Sequence, residues 1–356
     1  MKEIFISTPG RICLFGEDVD YMSLEVITIA IDKRIELKGK VTNTGEIRVK
    51  LDDFNQIMKF KSERQDILSK RDYVKSAFNL YHEYLPSNFG ADITVKSDLL
   101  IGKGLSSSSA FSSVFVAFFD KAANLNSTAK EIAWKAYLAE VVNLGEPGGM
   151  MDHFASVLGN VIYLECREPY FYEKLDLKLD GLVIGDTLKR KKTIELLTLR
   201  KSEIKSGIEI LSELTNDFSL LDFPLDEAFG IYEEQKNPDL KRILGVLGIR
   251  DIVRKGYKLV KSNEELDQNI VQLINMHHDF QKNYFENVSE KMQFLIERAK
   301  KAGAKACKLL GTGNGGSFLA YAPGKEKNVA KSILKNGGEA YIVKQDVGLT
   351  INEVNC

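Results

Sequence analysis

Apolar and polar residues alternate from Ala91 to Ile101, the period-two pattern of a half-buried strand. Gly102 and Gly104 break it. Four serines, Ser106 to Ser109, then lead into an apolar run through Phe119 that predicts a buried helix. Residues 304–310 and 317–322 read as two strands around the loop Gly311-Thr-Gly-Asn-Gly-Gly316. The helix before them is well marked: Ser289 is placed as its cap, Met292, Leu295, Ile296 and Ala299 share one face, and Gly303 ends it. A helix followed by two strands predicts a small α+β domain. At the other end of the chain a short strand precedes Thr8, residues 7–21 read as a loop, and an apolar run ends at Ile31. One helix ends at Pro147-Gly148-Gly149, and the next starts near Asp152. From Glu203 to Val271 charged and leucine-rich stretches alternate with no sustained heptad, which predicts surface helices, not a coiled coil.

At 356 residues the chain is expected to form two domains, since single cores stop growing near ~250–300 residues. A net charge of −1 and a pI near 6.5 give no basic field for nucleic acid or an anionic membrane. The four cysteines (Cys13, Cys166, Cys307, Cys356) have no metal spacing and suit reduced thiols. No signal-like stretch precedes Ile4, and no apolar run reaches the ~18 residues of a membrane span, so a cytoplasmic protein is expected. His277 and His278 are adjacent and cannot form an i,i+4 metal pair on a helix; a structural role is expected. The lone Trp134 is expected to pack in the helix before Glu140.

A strand, a glycine turn and a hydroxyl-rich helix start place free backbone N–H groups and the positive end of a helix dipole at one point, which suits phosphate. A plain serine cap needs only one of the four serines. The loop is neither a Walker A sequence, since Lys103 lies between the glycines, nor a dinucleotide fingerprint. The loop at 311–316 joins two strands and so is no Rossmann turn; its glycines suit a flexible hairpin or close approach to a ligand. Two acidic clusters complete the set. Arg11, Glu17, Asp18 and Asp20 lie within ten residues, where a solvated acidic turn is the alternative. The other runs from Glu140 to Asp152, where Asp152 is a cap or first-turn acid on the simpler reading.

In this order the four clusters resemble those of the GHMP kinases (galactokinase, homoserine kinase, mevalonate kinase, phosphomevalonate kinase), most closely galactokinase. Pro9-Gly10-Arg11 through Gly16-Glu17-Asp18-Val19-Asp20-Tyr21 is similar to P-G-R-V-N-L-I-G-E-H-T-D-Y. Gly102-Lys-Gly-Leu-Ser-Ser-Ser108 is similar to G-x-G-L-S-S-S, Gly149-Met-Met-Asp152 to G-I-M-D, and Leu310 to Gly316 to T-G-A-G-F-G-G. The resemblance extends to Asn283-Tyr284 and to Asp346–Leu349.

The resemblance implies an α+β two-domain GHMP kinase fold, with an N-terminal domain like the second domain of ribosomal protein S5 (1–185) and a C-terminal ferredoxin-like domain (186–356). ATP is then expected in the cleft, on Gly102, Lys103, Gly104, Leu105, Ser106, Ser107, Ser108, Ser109 and Gly313. Magnesium is expected on Ser108 and Glu140. Asp152 maps onto the catalytic aspartate and Arg11 onto the arginine beside it. Glu17, Asp18, Asp20, Tyr21, Gly149 and His153 are expected around the sugar. The implied activity is phosphorylation of the anomeric hydroxyl of galactose or a related monosaccharide, by a monomer or homodimer. A mevalonate- or homoserine-type kinase and a non-catalytic sugar- and ATP-binding regulator are the alternatives. Three departures bear on the sugar. Asp18 replaces a histidine, Met22-Ser23-Leu24 replace Asn-Gly-Gly, and Leu197 stands where a tyrosine stacks on the sugar. Lys103 also replaces a small residue, either as an added cation near the phosphates or as a solvent-facing side chain.

Overall fold

The computed structural model describes residues 2–69, 71–99, 102–189, 193–262 and 266–355. Seven strands of the first half build one sheet: β1 (Lys2–Phe15), β2 (Glu25–Thr42), β3 (Glu46–Leu51), β4 (Gln56–Lys61), β5 (Gly90–Ser97), β6 (Val161–Glu165) and β7 (Tyr172–Lys174). Four more, β8 (Leu182–Asp186), β9 (Ala306–Leu310), β10 (Ser317–Tyr321) and β11 (Glu339–Val343), build a second sheet in the order β11-β8-β10-β9. The last strand, β12 (Thr350–Asn355), returns to the first sheet and pairs antiparallel with β1 from Lys2↔Asn355 to Ser7↔Thr350.

The helices are α1 (Tyr73–Asn79), α2 (Ser107–Ala122), α3 (Ala129–Tyr137), α4 (Met151–Leu158), α5 (Thr193–Leu214), α6 (Leu225–Gln235), α7 (Pro238–Ser262), α8 (Leu266–Phe280), α9 (Glu290–Lys301) and α10 (Glu326–Lys335). Two sheets with helices fulfil the α+β expectation. The second lobe has the strand–helix–strand–strand–helix–strand order expected of a ferredoxin-like domain. A division after residue 185 falls inside β8, all of whose strand partners belong to the second sheet.

Helix α2 is the spine of the first lobe. Val114, Phe115, Val116, Phe118 and Phe119 are fully buried, and Phe119 meets Phe78, Phe89 and Phe118 edge-on. Each such side chain contributes about 1.5–3 kcal/mol by leaving water. This core fixes the start of α2, and with it the glycine turn ahead of the helix. A single hydrophobic cluster runs from the first sheet through α5–α8 to Ala306, Leu310 and Leu319, so the lobes share packed residues.

Three expectations are corrected. Residues 7–15 are not loop, because β1 continues to Phe15; register shifts at Pro9/Arg11 and Cys13/Phe15 absorb the proline and glycine without ending the strand. The strand expected over 91–101 ends at Ser97, and Leu100 and Ile101 lie outside the described residues. Helix α7 is a core helix, not a surface one. Ile243, Leu244, Leu247 and Val253 have no exposed surface, and the buried Arg250 pairs with Asp251 at 2.7 Å and donates to the Leu220 carbonyl at 2.9 Å. Charged residues in the sequence concealed that burial, since an arginine fork can be satisfied by carbonyls inside a protein. Helix α9 forms as read: Ser289 Oγ accepts from the Met292 N–H, and Met292, Leu295, Ile296 and Ala299 are buried.

Candidate active site

A cleft of about 230 Å³ lies between the lobes, and the four sequence clusters meet in it. One wall is the turn from Gly102 to Ser109. Gly102 and Gly104 have φ of 71° and 78°, and Ser106 is also left-handed at 60°, an uncommon conformation for serine. The first intrahelical bond runs from the Ala110 N–H to Ser106 O at 2.9 Å. The N–H groups of Ser107, Ser108 and Ser109 therefore stand at the helix mouth. Ser106 Oγ is buried with no partner among the described residues, a donor that a ligand oxygen would satisfy. Lys103 does not line this cleft. Its ammonium pairs with the buried Asp186 carboxylate at the end of β8. Leu105 is buried below the turn.

Opposite the helix mouth, Arg11 in β1 holds Asp152 in the first turn of α4. Arg11 Nε donates to Asp152 Oδ1 at 2.8 Å and Nη2 approaches the same oxygen at 2.5 Å. Nη1 donates to Gly104 O at 2.7 Å, so one guanidinium ties the carboxylate to the glycine turn. Burial works against the charged guanidinium, but Asp152 and Glu17 outweigh it and its pKa is raised. The Asp152 side chain keeps 28% of its surface exposed, against 5% for Arg11, so the carboxylate remains reachable from the cleft.

Glu140 lies on a π-helical turn, Leu138–Val142, and is buried beside the serines. Ser109 Oγ donates to its Oε1 at 3.4 Å, and His153 Nε2 lies 2.8 Å from Oε2. His153 is thus turned onto Glu140 while it also lines the cleft. An oxygen-rich set of Glu140 and serine hydroxyls suits a hard cation. No group of three or more His, Cys, Asp or Glu that could hold a metal occurs among the described residues.

The end of the cleft formed by residues 17–21 is acidic and mostly buried. Asp18, with φ of 69°, accepts from Asn287 Nδ2 at 3.0 Å. Burial first, then the charge of Glu17, pushes its pKa from 3.8 up to about 7. Asp20 is likewise pushed up to about 7 by burial and the nearby Asp152 charge. Gly149 packs tightly here, because a Cβ would sit 2.1 Å from Asp20 Oδ2 and would have to displace that side chain. The buried Tyr21 hydroxyl has no partner among the described residues, and the Lys201 ammonium lies 5.1 Å from the centre of its ring. Leu197 lines the cleft where a stacking tyrosine is expected.

Glu17 is engaged on both oxygens: Lys308 Nζ donates to Oε2 at 3.1 Å and the Gly311 N–H to Oε1 at 2.7 Å. Gly313 (φ 84°) packs on Asn287, whose carbonyl oxygen would lie 2.2 Å from any Cβ there, while Gly311 and Thr312 face the cleft. Lys308, Asn287 and Asp186 are the residues that sequence reasoning missed. The signal for Lys308 was a lysine centred in the apolar strand Ala-Cys-Lys-Leu-Leu. His277 is structural here, accepting from the Gly16 N–H at 3.2 Å.

The family description "GHMP kinases N terminal domain" matches residues 72–160, "Galactokinase galactose-binding signature" residues 1–37, and "GHMP kinases C terminal" residues 259–341. Together these matches cover more than half of the chain. The chain is 26% identical to a galactokinase of Thermococcus kodakarensis, covering 92% of each chain. It is 25% identical to a mevalonate kinase of Pyrococcus abyssi, covering 99% of this chain and 98% of that one. Among solved structures, the Lactococcus lactis galactokinase complexed with galactose superposes with a TM-score of 0.85 at 21% identity, covering 98% and 95% of the two chains. The Methanococcus jannaschii mevalonate kinase gives 0.72 at 20%, covering 96% and 98%. No helix among the described residues is long and apolar enough to cross a membrane.

Proposed function

The chain belongs to the GHMP kinases and is an ATP-dependent phosphotransferase with an alcohol acceptor, and on that premise we propose that it phosphorylates the anomeric hydroxyl of galactose or a related neutral monosaccharide. The observation that carries this reading is the Arg11 guanidinium, which binds the Asp152 carboxylate and the Gly104 carbonyl at once. A proton acceptor and a phosphate cradle are thereby held at a fixed separation, the main requirement of phosphoryl transfer.

Asp152 accepts the proton of the attacking hydroxyl, and Arg11 orients it and offsets charge on the transferring group. The N–H groups at the start of α2 and the orphaned Ser106 hydroxyl receive phosphate oxygens. Glu140 and Ser108 would hold magnesium, which supplies neutralisation of charge shared by adjacent phosphates. Asp18, Asp20 and Tyr21 face the acceptor hydroxyls. Glu17 acts as a brace, since both its oxygens are taken within the protein.

A cleft lined by Glu17, Asp18, Asp20, Glu140, Glu146 and Asp152 against one arginine suits a neutral polyol better than an acceptor carrying a carboxylate. That favours a sugar over mevalonate, although relatives of both kinds match the chain similarly. ADP release would be measured with free hexoses, pentoses, amino sugars, mevalonate and homoserine. Turnover confined to a neutral sugar is expected. Turnover confined to mevalonate or homoserine would refute the sugar assignment, and binding of sugar and ATP without turnover would make the protein a regulator.

A further inference from the structure

We propose that Lys103 and Asp186 form a latch between the phosphate turn and the second lobe, and that Lys103 positions the nucleotide site without touching nucleotide. The inference rests on the kinase reading above, with Gly102–Ser109 as the phosphate cradle. Gly102 and Gly104 both line the cleft, while the side chain between them points away and ends on Asp186. Asp186 is wholly buried, and its other oxygen accepts from the Leu188 N–H at 3.0 Å. A buried carboxylate needs its cation, so a Lys103 that swung into the cleft would leave Asp186 uncompensated.

The latch reaches further than one pair. Asp186 ends β8, and the next residue, Thr187, donates through both N–H and Oγ1 to Gly316 O at 2.9 Å. The Gly316 N–H in turn donates to Lys189 O at 3.1 Å. On its other flank the phosphate turn is held by Arg11 through Gly104 O and, backbone to backbone, Leu105 O at 3.2 Å. The turn is therefore strung between Asp152, by way of Arg11, and the glycine loop at 311–316, by way of Lys103 and Asp186. Its height over the cleft then depends on how the second lobe sits.

The test uses the full chain and MgADP as probe, with Lys103→Met, Asp186→Asn and the double variant. Each single change should weaken MgADP binding by about 5- to 50-fold. The double should be no worse than either single, because neither half is left uncompensated. Lys103→Arg should retain most of the affinity. Hydrogen exchange over residues 102–109 in the absence of ligand should quicken in both single variants. Loss of affinity on Lys103→Met alone, with Asp186→Asn unchanged, would overturn the latch and make Lys103 a phosphate ligand. Additive losses, no change in either variant, or unaltered exchange over the turn would also overturn it. If the unaltered protein fails to bind MgADP, the kinase reading falls. Exchange over the turn then still decides whether the pair restrains it.

Discussion

Lys308, in the middle of β9, reaches across the lobes to Glu17, its Nζ 3.1 Å from Oε2, with both side chains at 2% exposure or less. The same ammonium donates to Cys13 O at 2.8 Å, and Glu17 also receives the Gly311 N–H. Such a pair contributes little relative to an apolar core, but its halves cannot be separated cheaply. Lys308→Met should lower stability by about 3–5 kcal/mol, and adding Glu17→Gln should recover part of that loss. Denaturant melts of the three proteins check it; a Lys308→Met protein as stable as the parent would show that the pair does not brace the lobes.

Asp152→Asn keeps the shape of the side chain and removes its proton affinity. Turnover should fall by roughly 10²–10⁴ while the affinity for MgADP stays nearly the same. Steady-state rates beside calorimetric binding separate the two effects. Near-parental turnover would remove Asp152 from the reaction.

Glu140→Gln and Ser108→Ala should each weaken nucleotide binding in the presence of magnesium and leave metal-free binding close to the parent's, since each subtracts an oxygen donor from a cation with strict geometry. Titration of ATP with and without magnesium reads this directly. Equal losses in both conditions would place these side chains on the nucleotide itself.

Asp18→His tests the choice of sugar. The left-handed backbone at residue 18 tolerates histidine about as well as aspartate, so the change is chemical and not conformational. The ratio of kcat/KM between galactose and the preferred acceptor should shift by about 1–3 kcal/mol, roughly 5- to 150-fold. An unaltered sugar ranking at full activity would relieve Asp18 of that role.

Asp18 and Asp20 also set a pH dependence. Their pKa values rise from 3.8 in the open chain to about 7 in the fold, chiefly through burial. Between those values the folded protein holds protons that the unfolded chain has released. Their contribution therefore weakens as pH rises through that range and is least favourable above it. Asp18→Asn should flatten this decline, visible in Tm followed across the same pH range. A slope identical to the parent's would count against a buried, proton-holding Asp18.

Local patterns carried what is local. The α2 and α9 helices and the loop between β9 and β10 were legible, because apolar spacing and glycine placement fix them within a few residues. The clusters that meet in the cleft were legible as chemistry too. What pairs with what was not. Asp18 and Asn287 are 269 positions apart, and Glu17 and Lys308 are 291 apart, so no spacing rule links them. Helix α7 misled for a related reason: its arginines look solvated until the carboxylates and carbonyls that receive them, such as Glu203 for Arg242 and Leu221 O for Arg254, are seen in place.

The return of β12 to the side of β1 has a consequence for synthesis on the ribosome. The first strand can pair with β2 soon after both are made, but β12, its neighbour on the other side, follows only after the whole second lobe. Until then the outer edge of β1 offers a row of unpaired N–H and C=O groups. The first lobe therefore keeps one sheet edge open until the second has been made, unlike a domain whose edges are all paired within its own stretch of chain. An open edge of that kind is one to which another strand can add.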